Sequence, residues 1–164
     1  MFCKMTWKKM FLYFLSSPLI VLLMMGCEPI KLYEQNTMYP THEWSSKQIN
    51  KYDFNITDTN ATYKIFFVIR HHNSYRYKNI WLEFTTQSPQ DRAVKQTLNL
   101  QLVDDQKGWL GVGMDDIFDQ RIPINAVPTK LKGGVYHFSL QHTMREDPLM
   151  GVLATGIRVE KVQP

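Results

Sequence analysis

Cys27 is the residue whose chemistry the sequence specifies most clearly. It ends the run LLMMGC at positions 22–27, in which a small residue precedes a thiol at the end of an apolar segment. A lipoprotein signal peptidase needs this arrangement, because it cuts ahead of a cysteine that becomes the first mature residue. We therefore predict a signal peptide over 1–26 and lipidation of Cys27, with diacylglycerol on the sulfur and an acyl group such as palmitate on the amine.

The leader ahead of Cys27 leaves two alternatives open. A positive start precedes an apolar run over 10–25 that is broken only by Ser16, Ser17 and Pro18. A secretory signal more often ends in two small residues spaced by two, and a membrane anchor wants about 20 unbroken apolar residues. The lipoprotein interpretation is favoured over both. Because no acidic run follows the cysteine, we expect attachment to the outer membrane with the domain facing the periplasm.

No other group of reactive residues has the spacing of a catalytic site. The glycines at 108, 111 and 113 lack the strand-to-helix junction and the GK[ST] of a phosphate loop, and the aspartates at 115, 116 and 119 do not match a twelve-residue calcium loop. No serine lies in a GxSxG turn. A sugar-hydrolysing carboxylate pair stays open, although Glu83 and Glu160 resemble ordinary outward strand residues. We predict no enzyme activity, no cofactor and no small-molecule substrate.

The five histidines do not form a recognisable metal set. No pair has the HxxxH spacing of a helical site or the HxH spacing of one strand face, and no thiolate is left to complete a zinc site. A metal site assembled across strands stays open, and none is predicted. We expect His71 and His72 in a turn after a central strand, His137 outward on a strand, and His142 with the parity of a buried face.

Tyr75, Tyr77 and Trp81 are the best candidates for contact with a partner. Exposed tyrosine and tryptophan supply large, stiff contact area at low entropic cost, which is why interfaces are enriched in them. The alternative is that Tyr75 and Tyr77 pack over the edge of the fold with their hydroxyls in solvent. Both interpretations remain open.

The composition of the mature chain narrows the class of partner. Removal of residues 1–26 discards Cys3 and three lysines. The mature chain then has 16 basic and 15 acidic residues, and its net charge is near +1. The +4 of the whole chain therefore does not support a nucleic-acid partner. With Cys27 acylated, no cysteine remains for a disulfide, and stability has to come from an apolar core.

The mature chain carries strand signals and no convincing helical stripe. In the clearest segment, Leu98, Leu100 and Leu102 alternate with polar residues. The run 61–70 is apolar on both faces, so it should be a central strand. We predict strands over 50–56, 61–70, 80–85, 96–103, 120–124, 136–141 and 153–160. They predict an all-β fold, a single antiparallel β-sandwich of Ig-like or jelly-roll-like type, with a closed barrel as the alternative.

Two stretches fall outside this strand pattern. Residues 27–46 have no apolar periodicity and are expected to form the lipidated N-terminus and a tether, with at most an early strand at its end, before a sandwich domain over 47–164. The connection 104–119 is long for a hairpin loop. Because Trp109 and Phe118 should turn inward, we expect it to cover one end of the core.

Three blocks of this sequence resemble the gliding-motility lipoprotein GldH family of Bacteroidota. They are FFVIR at 66–70 with YRYKNIWL at 75–82, GWLGVG at 108–113 with DDIFD at 115–119, and MREDPLMGV at 144–152 with GIRVE at 156–160. With the leader they cover nearly all of the chain. One difference is Thr155, where a β-branched apolar residue would be usual.

The resemblance implies a lipoprotein required for gliding and linked to the type IX secretion apparatus. It implies no catalytic residues, and its partners would be other envelope proteins of these machineries. Our first hypothesis is a non-enzymatic, lipid-anchored assembly protein that acts through protein–protein contacts. The alternative is a periplasmic binding module for a glycan or peptide, using Trp81 and the turn that carries Tyr75 and Tyr77.

Overall fold

The computed structural model describes residues 32–162, which contain only strands, turns and loops. The predicted signal peptide and Cys27 lie outside these residues. Within the described part of the chain there is no helix of the length and hydrophobicity that a bilayer span requires. The strands are β1 (Leu32–Met38), β2 (Glu43–Trp44), β3 (Asn50–Ile56), β4 (Thr62–His72), β5 (Asn79–Gln87), β6 (Val94–Gln101), β7 (Val103–Asp104), β8 (Gly108–Trp109), β9 (Val112–Met114), β10 (Ile117–Pro123), β11 (Thr129–Lys130), β12 (Gly134–His142), β13 (Leu149–Met150) and β14 (Val152–Val162).

Two antiparallel sheets pack face to face. The larger has the order β1-β14-β4-β10-β9, with β11 also paired to β4, and the smaller has the order β3-β12-β5-β6. Two short ladders, β13-β2 and β7-β8, lie outside these sheets. The predicted all-β, antiparallel sandwich is therefore confirmed.

The core fills the space between the two sheets because side chains alternate along each strand. On β12 and β5 the buried apolar residues are Tyr136, Phe138, Leu140, Ile80, Leu82 and Phe84. The rings of Phe84 and Phe138 stack with centroids 5.7 Å apart. From the larger sheet, Phe67 and Ile69 of β4 face them, and both are fully buried. Burial of one such side chain contributes about 1.5–3 kcal/mol. The central position predicted for β4 is confirmed, because β14 pairs with it on one side and β10 on the other.

The predicted tether over 27–46 is wrong for the described residues of that range. β1 pairs with β14 along all of its seven residues, from Leu32 opposite Glu160 to Met38 opposite Ala154. β14 comes very close to β1 at Gly156, where a side chain would overlap Asn36. The sandwich therefore begins at residue 32 and not at 47.

A buried polar network joins β1, β3 and β14. The hydroxyls of Tyr39 and Thr155 lie 2.7 Å apart, and the Asn50 side-chain amide donates to both oxygens. The hydroxyl of Tyr52 donates to the Thr155 carbonyl at 2.9 Å and contacts the Thr37 hydroxyl. Thr155, which differs from the family expectation, is thus the centre of this network.

Charged side chains cover the outer face of the larger sheet. Glu34 of β1 accepts hydrogen bonds from Arg121 of β10 and Arg158 of β14, and Arg158 also pairs with Glu160. Burial alone would raise the pKa of Glu34, but the two arginines outweigh it and lower that pKa to about 2. Arg121 lies opposite Val68 in the pairing of β10 with β4, and Val68 is buried although it is not part of the core cluster.

The sandwich has two ends with different connections. We call the end where β1 begins the proximal end; it contains the connections 57–61, 88–93 and 124–133 and the end of β14. We call the opposite end the distal end; it contains the connections 39–49, 73–78, 102–116 and 143–151. Each end therefore brings together segments that are distant in the sequence.

Candidate functional site

The distal end carries most of the large apolar side chains that the described residues leave in solvent. Nine such side chains are exposed between residues 32 and 162, and six of them are at this end. They are Met38, Ile49, Trp81, Val112, Met114 and Met150. Large apolar side chains left exposed at one end of a fold are candidates for an interaction surface, and methionine adapts well to a partner's shape.

The connections of the distal end carry a small excess of acidic residues. The four distal connections contain seven acidic and five basic residues, which gives them a net charge of −2. The acidic excess comes mainly from 102–116, where Asp104, Asp105, Asp115 and Asp116 outnumber Lys107. An apolar centre with a polar rim is the usual composition of a protein–protein interface.

Two distal connections are fixed to each other by hydrogen bonds and a short ladder. The Asp147 carboxylate accepts hydrogen bonds from the Ser46 backbone N–H at 2.7 Å and from the Ser46 hydroxyl at 2.6 Å. These bonds lower the pKa of Asp147. Next to them, Leu149 of β13 pairs with Trp44 of β2, and both side chains are fully buried. The connections 39–49 and 143–151 therefore form one rigid unit.

Gly151 is the point where three distal connections meet. Its φ is +79°, and a Cβ there would lie 3.2 Å from the backbone of Tyr75. Its N–H donates to the His42 carbonyl, and its own carbonyl accepts from the His72 N–H. Only glycine adopts this backbone conformation without strain in so little space.

Trp109 belongs to the connection 102–116, and its side chain packs against the distal end of the core. Its ring lies 4.4 Å from that of His71 and 5.8 Å from that of Phe118, and its indole N–H donates to Asn73. The expected inward position of Trp109 and Phe118 is confirmed. The connection is not a plain loop, since it contains the β7-β8 ladder and the hairpin of β9 and β10.

The prediction that His71 and His72 lie in a turn is wrong, because both belong to β4, and His71 is fully buried. Its Nδ1 donates to the His72 carbonyl at 3.1 Å, so its Nε2 accepts from the Gln120 amide. Burial lowers the pKa of His71 and keeps its ring neutral. His71 is thus part of the aromatic core under the distal end.

The three aromatic residues predicted to contact a partner do not share one exposed face. Trp81 points outward from β5 with 42% of its surface exposed, and its backbone N–H contacts the Met144 sulfur. Tyr77 is half-buried, and a hydrogen bond to Glu146 raises the pKa of its hydroxyl. Tyr75 is buried, packs on His71, and donates its hydroxyl to a backbone carbonyl. Trp81 and Tyr77 therefore remain surface candidates, whereas Tyr75 supports the surface from below.

His142 has the buried position that its parity predicts. Its ring lies 5.1 Å from that of Trp44, and its Nε2 is 3.9 Å from the Asp147 carboxylate. Burial lowers its pKa. Among residues 32–162, no three histidine or carboxylate side chains come close enough together to hold a metal ion.

A concave surface lies on the outer face of the smaller sheet. The cavity has a volume of about 440 Å³ and is lined mainly by polar side chains. The lining residues are Lys51, Asp53, Thr85, Gln87, Ala93, His137, Phe138 and Ser139. His137 points outward as predicted, and its Nδ1 lies 2.7 Å from the Asp53 carboxylate. These side chains could donate and accept hydrogen bonds to a polar ligand.

The same groove contains a serine beside the His137–Asp53 pair. Ser139 follows His137 by two residues on the same face of β12. A serine nucleophile needs a hydrogen bond to the histidine that activates it. Within residues 32–162, His137 bonds to Asp53, and no hydrogen bond joins it to Ser139. In the described residues, Ser139 and His137 are therefore not joined as a nucleophile and its base.

Comparison with known proteins identifies the family. The model of the GldH lipoprotein family matches residues 31–159, which include every long strand of both sheets except the last three residues of β14. The chain belongs to the GldH lipoprotein family. The resemblance of the three sequence blocks is thereby confirmed, and the last of them forms the connection 143–151 of the distal end.

Two relatives of this GldH-family chain align along almost their whole length. The gliding motility lipoprotein GldH homolog of Christiangramia forsetii is 26% identical over 148 residues, covering 86% of this chain and 90% of that protein. The gliding motility lipoprotein GldH of Flavobacterium johnsoniae is 21% identical over 150 residues, covering 87% and 92%. Among solved structures, one of infectious bursal disease virus aligns with 82% of this chain and 30% of its own, at 13% identity and a TM-score of 0.32.

Proposed function

We propose that this GldH-family protein is a lipid-anchored, non-enzymatic protein of the cell envelope that acts through protein–protein contacts in gliding motility and the associated type IX secretion machinery. The observation that carries the proposal is the distal end, where a rigid framework exposes six large apolar side chains. The names of both relatives support the link to gliding. The link to type IX secretion rests on the family resemblance.

The anchor in this proposal is the lipidated Cys27, in the outer membrane with the domain facing the periplasm. The family's description as lipoproteins and the LLMMGC run both support it. Cys27→Ala should abolish acylation and release the protein from the membrane fraction. Normal membrane fractionation of this variant would overturn the proposed anchor while leaving the proposed contacts open to test.

The contact surface is tested by crosslinking in living cells. A photoreactive amino acid at Met114 or Met150 should capture a protein partner, because both side chains are exposed at the distal end. The matched control is Val94, which is also exposed but lies at the start of β6 near the proximal end. Equal capture from all three positions would contradict a distal contact surface.

The functional consequence is tested by removing apolar contact area. Trp81→Ala and Met150→Ser should impair gliding, or the export of type IX cargo in a species that does not glide, without reducing the amount of folded protein. Val94→Ser should have no effect. Unaffected motility and export in the double variant would count against the proposal.

The polar groove supports a second candidate function, the binding of a glycan or peptide. Its volume of about 440 Å³ lies within the range of small-ligand sites, and its lining offers several hydrogen-bonding groups. Envelope glycans or peptides that bind there should raise the melting temperature. His137→Ala should remove that shift, and an unchanged shift would place the ligand elsewhere.

A further inference from the structure

The short link between Cys27 and β1 restricts how the sandwich can sit at a membrane. Four residues, 28–31, separate the proposed lipidation site from Leu32. A fully extended chain covers about 3.6 Å per residue, so the start of β1 lies within about 18 Å of Cys27. β4 runs in the same direction as β1, from the proximal to the distal end, over eleven residues, which places its distal end about 33 Å beyond its start. The proximal end is therefore the part of the sandwich held nearest to the lipid.

The proximal end has the opposite charge to the distal end. Its three connections and the last two residues of β14 contain four basic and two acidic side chains, a net charge of +2 against −2 at the other end. The basic residues are Arg92, Lys130, Lys132 and Lys161. Lys132 pairs with Asp91 and Lys161 with Asp58, whereas Arg92 and Lys130 are exposed and have no carboxylate within 4 Å in the described part of the chain. Two basic side chains are thus available to an external anion.

An apolar tip accompanies these charges. Val127 is 70% exposed at the turn of the connection 124–133. The Asn125 amide donates to the Val127 carbonyl and to the Tyr63 carbonyl, and its oxygen accepts from the Ile65 N–H. Thr129 donates a further hydrogen bond to the Val127 carbonyl. The tip is therefore held in a fixed position and projects its side chain away from the core.

We propose that the proximal end rests on the anionic surface of the bilayer that holds the anchor, with Val127 entering the headgroup layer and Arg92 and Lys130 contacting lipid phosphates. This inference rests on the proposed lipidation of Cys27. An exposed apolar residue beside basic ones is the composition that favours an anionic membrane interface. The contact orients the domain, since the acyl chains already supply the anchoring, and it turns the acidic, apolar distal end away from the lipid.

The orientation can be measured with the lipidated protein in vesicles. Cys27 is the only cysteine of the predicted mature chain and is acylated, so an introduced cysteine is the only free thiol. Fluorophores on Val127→Cys and Met114→Cys compare two side chains of similar exposure at opposite ends. Headgroup-quenching lipids should quench the probe at 127 at least about fivefold more strongly than the probe at 114. Equal quenching, or none at 127, would overturn the proposed orientation.

The charge contribution has a matched control. Each basic side chain near an anionic surface favours the membrane-bound orientation about fivefold. Arg92→Gln combined with Lys130→Gln should therefore lower the ratio of molecules whose proximal end contacts the membrane to those whose proximal end does not by at least about tenfold. The loss should appear in vesicles that contain phosphatidylglycerol and not in purely zwitterionic ones. Arg76→Gln with Lys107→Gln removes two exposed charges from the distal end and should change nothing. Equal effects of the two double variants would refute the role of the proximal charges.

Vesicle flotation separates this inference from the proposed anchor. If the protein without substitutions, prepared as for the vesicle experiments, fails to float with vesicles, the proposed anchor is wrong. The proposed orientation is then wrong as well. If the protein floats but the probe at 127 is not quenched, the anchor stands and only the proposed orientation is overturned.

Discussion

Replacing Thr155 with valine should destabilise the sandwich although it keeps the shape of the side chain. The Tyr39 and Thr155 hydroxyls share a hydrogen bond in which either can donate, and the Asn50 amide donates to both oxygens. Valine leaves the Asn50 amide without one acceptor and the Tyr39 hydroxyl without its hydroxyl partner in a buried site. A stranded donor costs about 1–3 kcal/mol, and the added methyl group returns about 0.8 kcal/mol. We expect the free energy of unfolding to fall by about 1–3 kcal/mol.

Urea unfolding of the purified protein measures this loss, and a double-mutant cycle assigns it. Thr155→Val and Tyr39→Phe disrupt the same network, so the double variant should lose about 1 kcal/mol less than the sum of the two single losses. Thr97→Val is the control, because Thr97 is exposed on β6 and should lie within about 0.5 kcal/mol of the unmodified protein. Unchanged stability of Thr155→Val, or strictly additive losses, would refute the role given to the network.

Three further outcomes follow from the packing and the charges. Gly151→Ala should lower the free energy of unfolding by about 1–3 kcal/mol. The loss should be larger than that of Gly108→Ala, because Gly108 shares a positive φ but has open space around it. Equal losses in urea unfolding would contradict the close approach of residue 151 to the Tyr75 backbone. Burial lowers the pKa values of His71 and His142, so the unfolded chain binds more protons below pH 6.5 and stability should fall from there toward pH 5, by at most about 1.4 kcal/mol per pH unit for each histidine; a flat profile would refute their buried, neutral state. Glu34→Gln should lower the free energy of unfolding by about 1–2 kcal/mol at pH 7. The difference in stability between this variant and the parent protein should shrink as the pH falls from 4.5 toward 2, because Glu34 becomes protonated over that range. A difference that does not change with pH would show that the bonds to the arginines do not cause the loss.

The sequence predicts the long strands well where one face is consistently apolar. β3 was expected over 50–56 and has those bounds, and the alternation of Tyr136, Phe138 and Leu140 gives the buried face of β12. In these segments the period of two and the burial agree, so local pattern alone is informative. β4 is recognisable as a central strand for a different reason, since its sequence is apolar on both faces.

β1 shows where local pattern fails. Its inward residues are Tyr33, Gln35 and Thr37, so it has no apolar alternation. Its stability comes from β14, more than a hundred residues later in the chain, through backbone pairing and the bond between Arg158 and Glu34. No window of the sequence contains both partners, which explains why this segment was predicted to be a tether.

The candidate surface was predictable only in part for a similar reason. Trp81 is exposed as expected, but Tyr75 lies three residues beyond the end of β4, where its direction depends on Gly151 and Trp109 from other connections. The six exposed side chains of the distal end come from positions between 38 and 150. Their spacing in the sequence does not show that they lie at the same end of the sandwich, which is determined by the sheet topology.

The pairing of β1 with β14 also determines how the molecule carries mechanical load. Tension between an anchor on Cys27 and a protein held at the distal end would pull β1 parallel to its own axis. Hydrogen bonds between antiparallel strands are perpendicular to the strands, so this force shears all seven residue pairs together instead of peeling them apart one by one. A strand attached in this way resists sudden detachment, and slippage would have to break the whole ladder at once.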